Sequence, residues 1–343
     1  MANAPSFIET IVVSTRIRLA RNFASYPFPK KMDEAQAEDV AYLVGEGLKS
    51  LDEFVRYDID KLTEDEASQL KERYLISPAL QESKYGVAFI TTDKTTSIMV
   101  NEEDHLREQY ICKGFELYKA YERISSLDSL LGSSFDFAFN EKLGYLTACP
   151  SNLGTGMRAS VMMFLPGLVT SGELKSFLPK IKEAGFTIRG AFGEGTSSEG
   201  YLYQVSNERT LGVSESEILE KMTRVTMGLS DLEIRAREVM KKTSGTELKD
   251  KALRAYGVLT NCALLTHKEF LDKMTQVRLG VALGYIESLD ANGFDEFLND
   301  MRPSTFRLGN GLKGKSERVC DMVRAETVCK VLPELVRIKR KKK

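Results

Sequence analysis

The chain is organised around residues 144–163, which read GYLTACPSNLGTGMRASVMM. An apolar segment with one cysteine leads into a turn rich in Pro, Ser, Asn and Gly, and an apolar run follows it. We expect a strand before the turn, a loop broken by Pro150 and Gly154, and a helix from Arg158 to Val169. Because a helix start presents unpaired backbone N–H groups, the stretch predicts a strand–loop–helix corner suited to phosphate oxygens.

Two side chains at this corner are candidates for phosphate binding and for catalysis. Arg158 supplies a fixed positive charge whose planar fork matches a phosphate group. Cys149 lies at the end of the expected strand, where reactive side chains are often placed. A lone motif of this kind is more often an ordinary corner with a buried cysteine, so its meaning depends on the rest of the chain.

Three further motifs accompany the stretch, and the four together resemble the phosphagen (guanidino) kinase family. They read STRIRLARN at residues 14–22, NEEDHLR at residues 101–107 and IRGAFGEG at residues 188–195. Within the family the chain is most similar to the bacterial protein-arginine kinases, because RASVMM, GVLTNC and a long helical pattern after the motifs match that branch. The first motif also lies close to residue 1, so we do not expect the N-terminal helical domain of the small-guanidine kinases.

The resemblance implies an α+β fold. Residues 1–256 are expected to form a mostly antiparallel sheet flanked by helices, of the phosphagen-kinase catalytic-domain type. A small all-helical C-terminal domain is expected over residues 257–336, followed by a basic tail over residues 337–343. Local patterns predict strands at residues 11–18, 86–92, 96–100, 135–139, 145–148, 186–191 and 201–207. They predict further helices at residues 32–54, 62–74, 115–131, 171–184, 214–244, 268–274, 277–289, 294–301 and 317–336.

Composition gives no reason to expect a nucleic-acid or membrane partner and favours a reducing compartment. The net charge is −1, from 48 basic and 49 acidic residues, which gives no global reason to expect a nucleic-acid partner. Five cysteines without a close pair, and no signal peptide, indicate a reducing cytoplasm. No apolar run reaches the length of a transmembrane helix, so no membrane partner is expected.

Nucleotide binding is implied at several of the motifs. Arg16 and Arg18 alternate along an expected strand, so both lie on one face, and side-by-side arginines favour an anion between them. The branch has a histidine where this chain has Tyr74, so any contact with adenine there would be uncharged stacking. The residues that the resemblance places at ATP are Ser14, Thr15, Arg16, Ile17, Arg18, Tyr74, Arg107, Arg158, Ala159, Ser160, Val161, Met162, Arg189, Gly190, Ala191, Phe192 and Gly193.

Catalysis on an arginine side chain asks for carboxylates. A guanidinium titrates above about 12, so its nitrogen is a poor nucleophile until acidic groups hold it and accept its proton. The resemblance implies that Glu103 and Glu194 do this, with Glu194 on a small polar loop that closes over the site. It also implies that Cys149, as a thiolate favoured by nearby arginines, helps to polarise the guanidinium. Magnesium is implied on the ATP phosphates, because the chain shows no dedicated metal cage.

Regulation and assembly are implied by the C-terminal region. The branch carries a phosphoarginine-sensing motif, RDxxRA, where this chain reads CDMVRA at residues 320–325. Asp321 and Arg324 lie on adjacent helical turns, so part of a pocket is expected although the leading arginine is absent. We also expect a homodimer, since Gly280 and Gly284 permit close helix approach. An activator protein and a Clp-type chaperone-protease are further partners that the resemblance implies.

Three functions stay open. The first is an ATP-dependent kinase that phosphorylates arginine residues in proteins. The second is a phosphagen kinase that acts on free arginine or another small guanidine. The third is a catalytically weak adaptor that binds phosphoarginine. The intact acidic, cysteine and arginine positions favour the first, whereas Tyr74 and the cysteine at position 320 keep the third open.

Overall fold

The computed structural model describes residues 10–51, 53–190 and 199–339. The strands in these ranges are β1 (Val12–Arg21), β2 (Phe54–Asp58), β3 (Val87–Thr91), β4 (Thr96–Val100), β5 (Leu106–Lys113), β6 (Phe139–Asn140), β7 (Gly144–Tyr145), β8 (Met157–Phe164), β9 (Phe186–Gly190), β10 (Leu202–Asn207), β11 (Ile286–Ser288) and β12 (Val336–Ile338). The α-helices are α1 (Glu34–Leu48), α2 (Glu64–Glu72), α3 (Pro78–Gln81), α4 (Leu117–Ser134), α5 (Pro166–Thr170), α6 (Glu173–Glu183), α7 (Glu215–Leu259), α8 (His267–Ala282), α9 (Ala291–Asp300), α10 (Pro303–Gly309) and α11 (Glu317–Leu335). None of these helices is long and apolar enough to cross a membrane.

One antiparallel sheet forms the centre of the molecule. Its eight strands lie in the order β2-β3-β4-β5-β1-β8-β10-β9, and each neighbouring pair is antiparallel. The STRIRLARN motif lies in β1 and the end of the central stretch lies in β8. These two strands are therefore adjacent, although more than a hundred residues separate them in the chain. The predicted α+β class, with a mostly antiparallel sheet and flanking helices, is confirmed.

The two faces of the sheet have different chemistry. On one face, side chains such as Ile17, Leu19 and Val161 pack into the main hydrophobic core with residues of α1, α4, α6 and α7. On the other face, α2 and α3 cover only the edge near β3 and β4, where Leu70 and Leu80 form a smaller core. The middle of that second face is therefore left for polar side chains.

Several local predictions are confirmed. Strands β1, β9 and β10, the hairpin β3–β4 and the helices α1, α2, α4 and α6 lie where periodicity placed them, whereas strand β5 was not predicted. Helix α7 begins with the predicted capping box: Ser214 Oγ accepts from the Glu217 amide at 3.3 Å, and Glu217 Oε2 accepts from the Ser214 amide at 2.9 Å. Such reciprocal bonds satisfy amide groups that the first helical turn leaves unpaired.

The helix predicted from Arg158 to Val169 is wrong for most of its length, and only its end is helical, as α5 (Pro166–Thr170). Residues Met157–Phe164 are instead strand β8, whose backbone pairs with β1 on one side and β10 on the other. Arg158 and Ser160 alternate with apolar residues in this strand, as a period of two requires. The apolar run that follows, residues 161–164, does not by itself distinguish a strand from a buried helix. The phosphate-binding argument from a helix start at this point therefore fails. The strands expected before the turn are also shorter than predicted, since β6 and β7 have two residues each.

Helix α7 continues beyond its predicted end. It runs to Leu259, with a break in helical geometry at Ser244 (φ −135°) where the end was expected. The main core includes α7 residues as far as Ala236, and a second core begins at Ala252. The two cores support a two-domain organisation, and the boundary at residue 256 stays a prediction.

The C-terminal region is mostly helical as predicted, but the helices predicted at residues 268–274 and 277–289 are wrong in their bounds. One helix, α8, covers both and ends at Ala282, and residues 286–288 form strand β11. Strand β11 pairs with β12, and Arg337 Nε lies 2.8 Å from Glu287 Oε2 across this pair. The first residues of the expected basic tail therefore belong to the fold. Helix α10 was not predicted, because Pro303 and the glycines that follow it indicated only a loop.

The two glycines invoked for a dimer are used within the chain. A Cβ added at Gly280 would lie 2.7 Å from the Ala252 Cβ, so this glycine allows α8 to pack against α7. Gly284 has φ +76° just after the last turn of α8, where a residue without a Cβ ends a helix readily. Neither glycine supports self-association.

Candidate active site

Five arginines lie on the polar face of the sheet. Arg16 and Arg18 alternate on β1 as predicted, and Arg18 pairs directly with Arg158 on β8. Arg107 on β5 pairs with Ala20, and Arg189 on β9 pairs with Gln204, which lies on the same face. Side chains that alternate along antiparallel strands share a face when their pairing positions match, so the register brings all five together.

Within the described residues, Arg107 is the one member of the cluster that forms ion pairs, and its partners are Glu102 and Glu103. The pKa of Arg18 lies well below its ordinary value, first because of burial and then because of Arg16, Arg107 and Arg158. Burial likewise lowers the pKa of Arg16 to about 10. The pKa of Arg158 is lowered by burial and then by Arg189. Like charges held this close are costly unless an anion joins them.

Neutral groups hold the arginines in position. Arg16 Nη2 donates to Gln204 Oε1 at 2.9 Å, and Arg158 Nη2 donates to Ser206 Oγ at 3.1 Å. Arg18 Nε and Arg158 Nε are shielded from solvent and have no hydrogen-bond partner within the described residues. Buried donors are normally paired, so these nitrogens fit an anionic ligand such as a nucleotide phosphate.

The other residues expected at ATP divide between the two faces. Ser14, Ser160 and Met162 share the arginine face by register. The alternate residues of β1 and β8 point into or toward the main core, and they are Thr15, Ile17, Ala159 and Val161. Gly190 ends β9. Ala191, Phe192, Gly193 and the catalytic candidate Glu194 lie outside the described residues.

The three consecutive carboxylates after β4 have different environments. Glu102 Oε2 lies 2.7 Å from Arg107 Nη1, and its side chain is 2% exposed. Glu103 Oε2 lies 3.2 Å from Arg107 Nη2, and its side chain is 35% exposed. Asp104 is buried and accepts from Asn22 Nδ2 at 2.7 Å. Of the three, Glu103 is therefore the carboxylate that an entering guanidinium can reach.

Asp104 also fixes the cysteine loop, a role that the sequence analysis missed. Its Oδ1 accepts from the Ala148 amide at 2.6 Å, immediately before Cys149. The loop is closed further along, where Thr210 Oγ1 donates to the carbonyl of Leu153 at 2.7 Å. These bonds hold Cys149 beside the acidic motif. The only available signal was that Asp104 belongs to the same motif as Glu103.

Cys149 is half-buried and accessible from the site. Its Sγ lies 3.1 Å from Ser151 Oγ. Cys112, by contrast, has a pKa raised to about 11 by burial. Cys112 is therefore poorly suited to act as a thiolate.

Comparisons with known proteins agree with this geometry. The family described as "ATP:guanido phosphotransferase, C-terminal catalytic domain" matches residues 37–236. The family described as "Protein-arginine kinase McsB C-terminal domain" matches residues 245–343. A protein-arginine kinase from Caldanaerobacter subterraneus subsp. tengcongensis is 40% identical over 327 residues, which are 93% of this chain and 96% of the relative. The chain belongs to the protein-arginine kinase family.

Further relatives and solved structures extend this assignment. The protein-arginine kinase of Bacillus subtilis is 38% identical over 306 residues, which are 88% of this chain and 84% of the relative. A lombricine kinase structure is 26% identical with a TM-score of 0.60, over 66% of each chain. A duplicated taurocyamine kinase from Schistosoma mansoni is 27% identical with a TM-score of 0.60, over 73% of this chain and 39% of that one. The protein-arginine kinase fold is thus shared with kinases of small guanidines.

The sensing motif expected in protein-arginine kinases forms part of the second core. Arg324 is 2% exposed, and its Nη1 lies 2.7 Å from Asp321 Oδ1. The same Nη1 donates to the Leu265 carbonyl at 2.9 Å, and the guanidinium lies 5.1 Å from the centre of the Phe306 ring. Arg324 is therefore engaged within the fold, and phosphoarginine binding at this position stays a prediction.

Replacing Cys149 by serine is expected to lower the rate of phosphoryl transfer while preserving the fold. Serine is nearly isosteric but does not ionise near neutral pH, so the proposed negative charge beside the guanidinium is lost. The rate and the midpoint of thermal unfolding would be measured together, with Cys112→Ser as the control. Thiol alkylation at Cys149 should also be slowed by bound nucleotide and substrate. A fully active serine variant and an unreactive thiol would make Cys149 a packing residue.

Proposed function

We propose that this protein transfers the γ-phosphoryl group of ATP to the guanidinium of arginine residues in proteins. The observation that carries the proposal is the arginine cluster next to the accessible carboxylate of Glu103. Two buried donors of the cluster, Arg18 Nε and Arg158 Nε, have no hydrogen-bond partner within the described residues. Arg16, Arg18 and Arg158 are placed to bind the polyphosphate chain. Phosphoryl transfer depends mainly on positioning and charge neutralisation, which such a cluster supplies.

The proposed reaction uses the arginine cluster for the nucleotide and Glu103 for the acceptor guanidinium. A guanidinium nitrogen of the acceptor attacks the γ-phosphorus, so an N–P bond forms while the bond from that phosphorus to the β,γ-bridging oxygen breaks. ADP leaves with the bond's electron pair, and its charge is stabilised by the arginines. Glu103, with Glu194 as its expected partner, orients the guanidinium fork and accepts the proton that the nitrogen loses.

Magnesium is proposed to enter bound to ATP. The described residues contain no group of three or more His, Cys, Asp or Glu side chains that could hold a metal ion. An ion that keeps several waters and binds phosphate oxygens fits this donor set. When bound, it would neutralise part of the charge on the phosphates. Omitting magnesium or chelating it should abolish transfer.

The decisive experiment compares acceptors under identical conditions. The protein is incubated with γ-labelled ATP and magnesium, together with casein, free arginine or creatine. We expect label on casein, in a phosphoramidate that is lost in acid and stable in mild base. Glu103→Gln provides the background. Transfer to free arginine with none to casein would indicate a phosphagen kinase. This alternative is tested because the fold is similar to those of the solved lombricine and taurocyamine kinases. No transfer to any acceptor would contradict a kinase.

We further propose that the kinase acts in the cytoplasm as a homodimer. All five cysteines are free thiols, which fits a reducing compartment. Exposed apolar side chains on the C-terminal region, such as Leu264 and Met322, offer an interface. A monomer mass by light scattering at micromolar concentration, or cell fractions that place the protein outside the cytoplasm, would contradict this proposal.

Two partners are proposed from the family resemblance alone. An activator protein should raise the rate of transfer when added to the purified kinase. A Clp-type chaperone-protease should degrade casein faster after arginine phosphorylation than before it. Equal degradation of both forms would remove the protease from the proposal.

A further inference from the structure

The ring of Tyr74 joins the arginine cluster to the C-terminal region. The guanidinium of Arg16 lies 5.9 Å from the ring centre. The guanidinium of Arg302, which immediately precedes α10, lies 4.8 Å from the same centre. Arg302 Nη2 also donates to the Tyr74 hydroxyl at 3.3 Å. One aromatic side chain thus contacts an arginine of the proposed nucleotide site and an arginine that is 228 residues further along the chain.

Tyr74 is held in an unusual backbone conformation. Its φ is +59°, in the left-handed region that bulky residues rarely adopt. Its amide donates to the Lys71 carbonyl at 2.9 Å, and its carbonyl accepts from Gln109 Nε2 at 2.6 Å. Gln109 pairs with Arg18 in the sheet register. The strained residue is therefore fixed by the strand that adjoins the arginine cluster, which points to a function rather than to a chance turn.

The segment that carries Arg302 is anchored on both sides. Before it, Asp300 Oδ1 accepts from Arg73 Nη2 at 2.6 Å. After it, the Glu72 carboxylate accepts from the amides of Ser304 and Thr305 at 2.9 Å each. Both anchors lie on the residues directly before Tyr74. Arg302 is therefore presented to the ring by a docked segment and not by a free side chain on a loose loop.

We propose that Arg302 is a positioning residue of the nucleotide site. It holds the Tyr74 ring against Arg16, so that the C-terminal region contributes a residue to this site. The inference rests on the proposed function, because it takes the arginine cluster as the ATP site. Attraction between a guanidinium and an aromatic face fixes the ring, and the ring in turn limits where Arg16 and the nucleotide can lie.

The test is direct binding of ATP by calorimetry, with Arg302→Gln compared with Asp300→Asn. Both substitutions weaken the same interface, but only the first loses the contact with Tyr74. We expect Arg302→Gln to raise the dissociation constant for ATP about two- to thirtyfold, the range of a lost cation–π contact. The KM for ATP should rise similarly, with kcat at saturating ATP changed less than about twofold. Asp300→Asn should lower the midpoint of thermal unfolding but change ATP affinity much less than Arg302→Gln does, because the Glu72 contacts still hold the segment.

Two further variants separate positioning from a merely structural role. Arg302→Lys should restore part of the affinity, since an ammonium can still lie over the ring. Adding Tyr74→Leu to Arg302→Gln should weaken ATP binding little beyond the single variants, because residues that act through one another are not additive. Unchanged ATP affinity in Arg302→Gln, or fully additive effects of the two substitutions, would overturn the inference. A wild-type protein that binds no ATP would overturn the proposed function as well.

Discussion

Replacing Glu103 by glutamine is expected to lower the rate of phosphoryl transfer at least about a hundredfold, the usual scale for a positioned acid–base group. The affinity for ATP should stay close to normal. Glu103 is the exposed member of the carboxylates that face Arg107, and its 3.2 Å contact is longer than the 2.7 Å contact of Glu102. Its main role is therefore expected toward the entering guanidinium and not toward the nucleotide.

Glu102→Gln is the matched comparison for this prediction. Glu102 is buried against Arg107, so its loss should disturb the arginine and weaken ATP binding more than Glu103→Gln does. ATP affinity would be measured by calorimetry, and turnover with casein at saturating ATP. Normal turnover in Glu103→Gln would remove that residue from catalysis. The same substitution at Glu194, outside the described residues, should reproduce the effect if both carboxylates hold the guanidinium.

The arginine face was predictable from the sequence only in part. Alternation along a strand places Arg16 and Arg18 together, and the structure confirms it. Their meeting with Arg158 and Arg189 depends on strand order, which is set by pairing between segments far apart in the chain. Local periodicity carries no information on that pairing. The family resemblance supplied the grouping that physical reasoning from the sequence did not reach.

The central stretch shows why local reasoning fails in a buried strand. Arg158 and Ser160 alternate with core residues in this strand, but residues 161–164 are apolar throughout, so the alternation was too short to identify the strand. The consequence for the chemistry is substantial. The backbone amides of β8 pair with neighbouring strands, so a phosphate group bound here would be contacted by side chains. Contacts such as Asp104 with Ala148, or Arg302 with Tyr74, were equally hidden, since they depend on the final packing.

Replacing Arg18 by methionine is expected to have opposite effects on stability and on ATP binding. Burial and three neighbouring arginines lower the pKa of Arg18 below its ordinary value. A folded-state pKa below the unfolded one means that the protonated side chain is less favourable in the folded protein. This cost is present at every pH below the folded pKa, including neutral pH, and stability would recover only as the pH rises past it. Methionine removes the charge and can fill the space.

The midpoint of thermal unfolding of the ligand-free protein should therefore rise in Arg18→Met, whereas ATP affinity should fall. A lost charge-assisted contact with phosphate costs about 1.5–3 kcal/mol, or roughly ten- to a hundredfold in the dissociation constant. Arg254→Met is the control, because Arg254 is exposed and paired with Asp250, so both quantities should change little. An Arg18→Met protein that is less stable yet binds ATP normally would mean that Arg18 supports the fold. In that case Arg18 would not be a ligand of the ATP phosphates.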